Sequence, residues 1–211
     1  MSKVLYITAN PKPEELSLSL TVGREFINEY KKKNPSDEII EIHLYKINIP
    51  FIDEYVLNGW NKLESDDGFG ELTNEEKDAI SNFNHLTTQF INADKYVVAT
   101  PMWNLSVPPM MKAYIDTVCI AGKTFKYTEH GPEGLLKDKK ALHIQASGGV
   151  YSEGPGQNLD FSHKYIKSLF NFLGVTYIEA IFIERADQNP SERENIKNSA
   201  ILQAKKVADK F

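Results

Sequence analysis

The sequence predicts a doubly wound α/β domain: one five-stranded parallel sheet with helices on both faces. Three observations carry that expectation. Short apolar runs alternate along the chain with longer stretches of helical period, the pattern of parallel strands joined by crossover helices. The chain has 211 residues, enough for one large domain with a sizeable core. No internal repeat or linker interrupts it, so residues 1–211 read as a single domain.

Lys3 to Thr8 is rich in strand formers and reads as a buried first strand. Pro11 and Pro13 keep the next residues out of a helix. A helical pattern then starts at Ser17-Leu18-Ser19, with Leu20, Gly23, Phe26, Ile27 and Tyr30 on one face. It ends at Lys31-Lys32-Lys33, cations suited to the negative end of a helix dipole, before Asn34-Pro35. Glu38 to Leu44 alternates Ile39, Ile40, Ile42 and Leu44 with polar residues and is the second strand. Pro50 to Leu72 holds no clear strand. Within it, Asp53 to Leu63 reads as a short helix carrying Tyr55, Leu57 and Trp60, and Ser65 to Gly70 as a loop. An insert this long is a lid, a dimer contact or a surface excursion with a few aromatics tucked in.

Thr73-Asn74-Glu75-Glu76 is a capping box opening a helix to about Asn92, with Ile80, Phe83, Leu86, Phe90 and Ile91 inward. Asp94 to Thr100 is the third strand. Ser106 is the expected cap of the next helix, Met110 to Ile120, in which Met111, Tyr114, Ile115 and Val118 face inward and Cys119 belongs to the core. Gly122 to Leu136 reads as a small hairpin-like excursion in which Phe125 and Tyr127 alternate with polar residues. Lys139 to Ala146 is the fourth strand, Leu159 to Leu173 a helix closed by Gly174, and Val175 to Ile183 the fifth strand. A second capping box, Asn189 to Glu192, is expected to begin the last helix, with Ile196, Ala200, Ala204 and Val207 as its inward stripe.

Composition narrows the function classes. With 41% hydrophobic and 25% charged residues the chain reads as globular. A net charge of -5 makes nucleic acid or an anionic membrane surface an unexpected partner. The lone Cys119 forms no internal disulfide, no apolar stretch reaches membrane-span length, and the N-terminus passes directly into Val4-Leu5-Tyr6-Ile7. The expected compartment is the cytoplasm.

Three loops stand out, following the first, third and fourth strands. In open α/β sheets ligands bind beyond the strand carboxyl ends, where strand order reverses. Asn10 with Ser17 and Ser19 offers hydroxyls and amides at a helix start, suited to a phosphate, although Ser17 also reads as an ordinary N-cap. Pro101-Met102-Trp103-Asn104-Leu105 combines apolar surface, an aromatic and an amide, suited to a flat ligand. Ala146-Ser147-Gly148-Gly149 places two glycines where backbone can approach a ligand. Five strands in the flavodoxin-like order 2-1-3-4-5 bring these loops to one end of the sheet. No catalytic acid or base and no metal ligand is assigned.

The chain resembles the FMN-dependent NADH azoreductases, a quinone-reducing branch of the flavodoxin-like superfamily. The resemblance covers essentially the whole chain. It rests on the Met1 to Leu5 start with the Ser17-Leu18-Ser19 helix start, on Pro101-Met102-Trp103-Asn104, on Phe125 to Gly134, and on Ser147-Gly148-Gly149. It implies tightly bound, non-covalent FMN with NADH as co-substrate, and ping-pong hydride transfer to quinones and aromatic azo dyes. It implies a homodimer with flavin sites at the interface. Asn10 and Ser17 to Ser19 would hold the phosphate. Met102 to Leu105 would run along the isoalloxazine, with Pro101 beside them, and Ala146 to Gly149 would meet its polar edge. Tyr127, Tyr151 and Phe172 would shape the substrate pocket, Tyr127 and Phe172 one or both from the opposite subunit. Some relatives carry serine in place of Asn10 and Ser-Arg in place of Ala146-Ser147. An electron-carrying flavodoxin acting on protein partners is the alternative. The Pro50 to Leu72 insert and the Phe125 to Gly134 excursion argue against it. A catalytically silent scaffold of the same fold is the third reading.

Overall fold

The structure is a computed structural model and describes residues 1–65 and 68–211; Asp66 and Asp67, within the expected Ser65 to Gly70 loop, lie outside the described residues. The strands β1 (Lys3–Thr8), β2 (Glu38–His43), β3 (Lys95–Pro101), β6 (Lys140–Ala146) and β7 (Tyr177–Ile183) form one parallel sheet in the order β2-β1-β3-β6-β7. Counted along the sheet alone, this is the expected 2-1-3-4-5. The two remaining strands, β4 (Phe125–Thr128) and β5 (Gly131–Gly134), pair only with each other, as the antiparallel hairpin expected between Gly122 and Leu136.

Side chains alternate across the sheet with period two and build two cores. On one face Leu5, Ile7, Tyr96, Val98 and Ala141 pack under α3 (Asn74–Ile91), α4 (Pro109–Val118) and α5 (His163–Phe172). On the other, Val4, Tyr6, Val97, Ala99, Leu142 and Ile144 pack under α1 (Leu18–Lys33) and α6 (Arg193–Ala208). The inward stripes read from the sequence are the buried ones: Leu20, Gly23, Phe26, Ile27 and Tyr30 in α1, and Met111, Tyr114, Ile115 and Val118 in α4. Each fully buried side chain of this size contributes about 1.5–3 kcal/mol.

Local chemistry sets most boundaries. Ser17 caps α1, and Thr73 with Glu76 makes the reciprocal capping box of α3. The insert forms α2 (Glu54–Lys62), capped by Asp53 and laid on α3. Trp60 stands edge-on to Phe83 at 5.3 Å, Gly59 lets Ile80 approach, and Lys62 pairs with Glu76 at 2.8 Å.

Three expected helix starts are corrected. Ser106 does not cap α4; Pro108 occupies the cap and Pro109 the first turn, where a missing N–H costs nothing. The helix expected from Leu159 begins at His163, because Pro155–Leu159 forms a separate 3-10 turn and Asp160 Oδ1 accepts from the N–H groups of Ser162 and His163. Asn189 to Glu192 is likewise no capping box: Pro190–Glu192 is a 3-10 turn, and α6 starts at Arg193 without a side-chain cap.

Candidate functional site

The β1-α1 connection brings hydroxyls to a helix start. Asn10 Nδ2 donates to Ser17 Oγ at 2.9 Å, and Asn10 Oδ1 accepts the Lys12 N–H at 3.0 Å, so one side chain braces the whole turn. Ser17 Oγ lies 3.3 Å from Ser19 Oγ and only loosely caps Leu20 N, at 3.4 Å. With Ser17 Oγ accepting from Asn10 and sharing one contact with Ser19 Oγ, the hydroxyl pair has a proton left over for an outside acceptor. The N-cap and phosphate readings of Ser17 are therefore compatible. The first-turn N–H groups of α1 add partial positive charge to the same place.

The loop after β3 is a tight turn under backbone strain. Trp103 and Ser106 exchange backbone hydrogen bonds at 2.9 and 3.0 Å, and the two central residues, Asn104 and Leu105, have φ of 48° and 69°. Both torsions positive is the arrangement that usually calls for Asn-Gly. Asn104 tolerates it; Leu105 holds it against a cost of about 1–2 kcal/mol. Two backbone bonds anchor this turn, Met102 N–H to Ala146 O at 2.7 Å and Phe161 N–H to Leu105 O at 3.0 Å. The first ties the β3 loop to the β6 loop.

After β6, Ser147 N–H bonds Ile183 O and Ser147 Oγ bonds Gly149 O at 3.0 Å. A Cβ on Gly148 would meet nothing nearer than Asp187 Oδ2, at 3.5 Å, so the space above it is open to a ligand. A Cβ on Gly149 would press on the Tyr151 ring at 3.2 Å. Tyr151 is itself held by Glu184, whose Oε1 accepts from the N–H groups of Tyr151 and Ser152 at 2.7 and 2.8 Å.

One cleft of about 180 Å³ gathers Asn10, Ser17, Leu18, Ser19, Pro101, Met102, Trp103, Ala146, Ser147 and Gly148. Ten expected residues from three loops thus share a single concavity at the strand carboxyl ends. Asn104, Leu105 and Gly149 adjoin it in sequence without lining it. Asp187 and Arg193, paired at 2.8 Å, complete the wall, with Ala186, Leu16 and Lys12. The loop after β7 was missed because it lacks glycine or aromatic punctuation, although the rule that points to strand carboxyl ends applies to it equally.

Tyr127 and Phe172 are elsewhere. Both pack against Phe125, at 5.5 and 4.6 Å between ring centroids. The hairpin leaves the C-terminal end of α4 and leads into the start of β6, and Leu136 N–H bonds Leu173 O at the end of α5. It therefore sits at the strand amino ends, with the ten-residue α4, roughly 15 Å of helix, between it and the β3 loop. Tyr127 is 75% exposed and Phe172 37%. Within one chain neither reaches the cleft.

Beneath the strand ends lies a buried polar chain that the sequence did not advertise. His143 Nε2 is 3.0 Å from Thr100 Oγ1, and His143 Nδ1 is 3.1 Å from His163 Nδ1. The rings stack at 5.4 Å. Burial holds both imidazoles neutral, His143 well below its ordinary pKa, with the second ring reinforcing the shift. Cys119, at the C-cap of α4, is pushed up to about 11 by burial, which keeps it a thiol. A wider groove of about 610 Å³ runs between α4 and α5, lined by Val107, Phe161 and Tyr165 among others. It is mostly apolar, and its rim cations are engaged, Lys112 with Asp116 and Lys164 with Gln157 O. It suits a protein surface better than a phosphate.

The donor set and the open backbone at Gly148 fit an FMN phosphate and ribityl chain. A family model described as flavodoxin-like fold matches residues 2–208. An FMN-dependent NADH:quinone oxidoreductase of Bacillus velezensis is 52% identical over 211 residues, all of both chains. The chain belongs to this flavodoxin-like oxidoreductase family. Among solved structures, an azoreductase from Bacillus anthracis aligns over all of both chains at 40% identity with a TM-score of 0.92. An FMN-dependent NADH-azoreductase from the same species, in complex with FMN, aligns over 99% of this chain and 98% of that one at 36% identity and a TM-score of 0.91. Membership of this flavodoxin-like family confirms the resemblance read from the four motifs.

Proposed function

We propose that this chain is a cytoplasmic, homodimeric FMN-dependent NADH:quinone oxidoreductase that also cleaves aromatic azo bonds. The observation that carries the reading is the convergence of α1 hydroxyls, the Pro101–Trp103 segment and the Ala146–Gly148 segment in one cleft. FMN, when bound, would supply the hydride chemistry between NADH and a quinone or, over two rounds, an azo bond. The protein binds, orients and shields. Ser17, Ser19 and the α1 N-terminus hold the phosphate. Met102 and Trp103, with the adjoining Asn104 amide, would lie along the ring system. The Ala146–Gly149 backbone would meet its polar edge, and Tyr151, packed against Gly149 outside the cleft lining, would stand at the mouth.

The cleft is smaller than the roughly 300–1,000 Å³ that encloses a ligand of flavin size. A second wall is required, and a second copy supplies it. Tyr127 and Phe172, remote from their own cleft, become wall residues of the partner's cleft when two chains dock antiparallel through the apolar α4-α5 groove. No helix among the described residues is long and apolar enough to cross a membrane.

The test is a visible spectrum of the purified protein followed by anaerobic bleaching with NADH and NADPH. Flavin absorbance lost on NADH addition and restored by a simple quinone is the expected result. Turnover without a protein partner excludes the electron-carrier reading, and a colourless protein that takes up no FMN refutes the assignment.

A further inference from the structure

A second pocket, also of about 180 Å³, lies beside the flavin cleft at the ends of β1 and β2. Asn10 and Lys12 line both, and Tyr45, in the second, stands edge-on to Trp103, in the first, at 6.2 Å. Its electrostatics are mixed but net cationic. Glu14 lines it but is held by Arg24 Nε at 3.0 Å, and the nearby Glu41 takes both terminal nitrogens of the same guanidinium at 2.6 and 2.7 Å. Lys12 and Lys46 also line it, and among the described residues neither has a carboxylate within 4.0 Å. The Tyr45 hydroxyl is buried without a hydrogen-bond partner among the described residues. His43 is anchored by Thr8 at 2.9 Å. Arg24 leaves one of its two carboxylates over; Lys12 and Lys46 still make the pocket net cationic and suited to a compact anion, while the buried Tyr45 hydroxyl faces no solvent.

We infer that this pocket takes the diphosphate of the nicotinamide dinucleotide. The inference deepens the reading of the protein as an NADH oxidoreductase and rests on it. The Tyr45–Trp103 edge contact and the shared Asn10 and Lys12 join this pocket to the cleft, so a nicotinamide in the cleft would bring its diphosphate within reach of Lys12 and Lys46. The sequence has no glycine-rich dinucleotide fingerprint, so no backbone cradle takes those charges, and side chains must. The volume admits a diphosphate and leaves the adenosine outside.

The experiment uses flavin-loaded protein, with Lys46→Gln and Tyr45→Phe as variants. NADH is compared with N-benzyl-dihydronicotinamide, a hydride donor with no phosphate. The expected result is a fall of about tenfold in kcat/KM for NADH in Lys46→Gln, the loss of a charged donor, and no change in Tyr45→Phe, whose hydroxyl is buried away from the pocket's solvent. Flavin content and kcat/KM for the phosphate-free donor stay unchanged. Inorganic pyrophosphate competes with NADH in the native protein and less well in Lys46→Gln. Equal losses with both donors, or unchanged NADH kinetics in Lys46→Gln, overturn the inference. Loss of flavin from Lys46→Gln also overturns it, assigning the pocket to the flavin's own phosphate. Failure of the underlying reading is separately visible: the unsubstituted protein would then turn over neither donor.

Discussion

At Asn104 the backbone and the side chain do separate jobs, and substitution can divide them. Its φ of 48° is one that glycine adopts freely and alanine does not. Asn104→Gly is expected to keep the fold within about 0.5 kcal/mol while weakening FMN retention, whereas Asn104→Ala also loses about 1 kcal/mol. Urea melts of the apoproteins beside flavin titrations distinguish the two. Ser17 was legible as the cap it is and, in the proposed reading, as a phosphate donor. Its cap bond is long, so Ser17→Ala is expected to lower apoprotein stability by only about 0.5 kcal/mol, the low end for a cap. It should cut FMN affinity at least about tenfold and leave riboflavin, which lacks the phosphate, unaffected. The histidine pair sets a pH dependence. Burial depresses both pKa values below about 6.5, so the unfolded state binds more protons as pH falls through that value. Stability is full above it and falls below it, by up to about 1.4 kcal/mol per pH unit for each ring. Asp160 partly offsets the effect at His163. Thermal melts at pH 7.5 and 5.5, roughly one unit either side of the ordinary histidine value, should show the loss, and His143→Gln should flatten it.

Elements were readable wherever their determinants are local. The Thr73 capping box, the Ser17 start and the lysines ending α1 act within one helical turn, so short-range pattern sufficed. The starts of α5 and α6 failed for the same reason. Both expected starts coincide with a 3-10 turn, Pro155–Leu159 and Pro190–Glu192, and what decides between that turn and α-helix is the hydrogen bonding of neighbours such as Asp160. The β4-β5 hairpin is seated by close backbone packing: a Cβ on Gly134 would lie 2.1 Å from Gly174 N and 2.2 Å from Leu173 C. Gly134→Ala must therefore move the hairpin or the end of α5, and is expected to cost at least about 1–3 kcal/mol, read as a lowered urea midpoint. If Tyr127 serves the partner's cleft, the same change should reduce quinone turnover without emptying the α1 phosphate site.

For the whole molecule, the opposed positions of cleft and hairpin make a prediction about shared sites. A Ser17→Asp chain retains its hairpin but repels phosphate; a Tyr127→Ala chain retains its cleft. Neither homodimer should be fully active. Mixing and refolding them should restore about a quarter of native activity, since half the dimers are mixed and each has one intact site. No recovery on mixing would place Tyr127 outside the partner's cleft. The sequence by itself determined the five strands, the two inward stripes and the three loops that line the cleft, because period, capping and turn chemistry are properties of neighbouring residues; the strand order was expected from the flavodoxin-like class, and the sheet has it. Only the tertiary structure decided that Asp187 and Arg193 join the cleft, that His143 meets Thr100 and His163, and that Tyr127 and Phe172 lie at the opposite end of the sheet. Those facts depend on where distant segments stop after crossing the sheet, which no local interaction encodes.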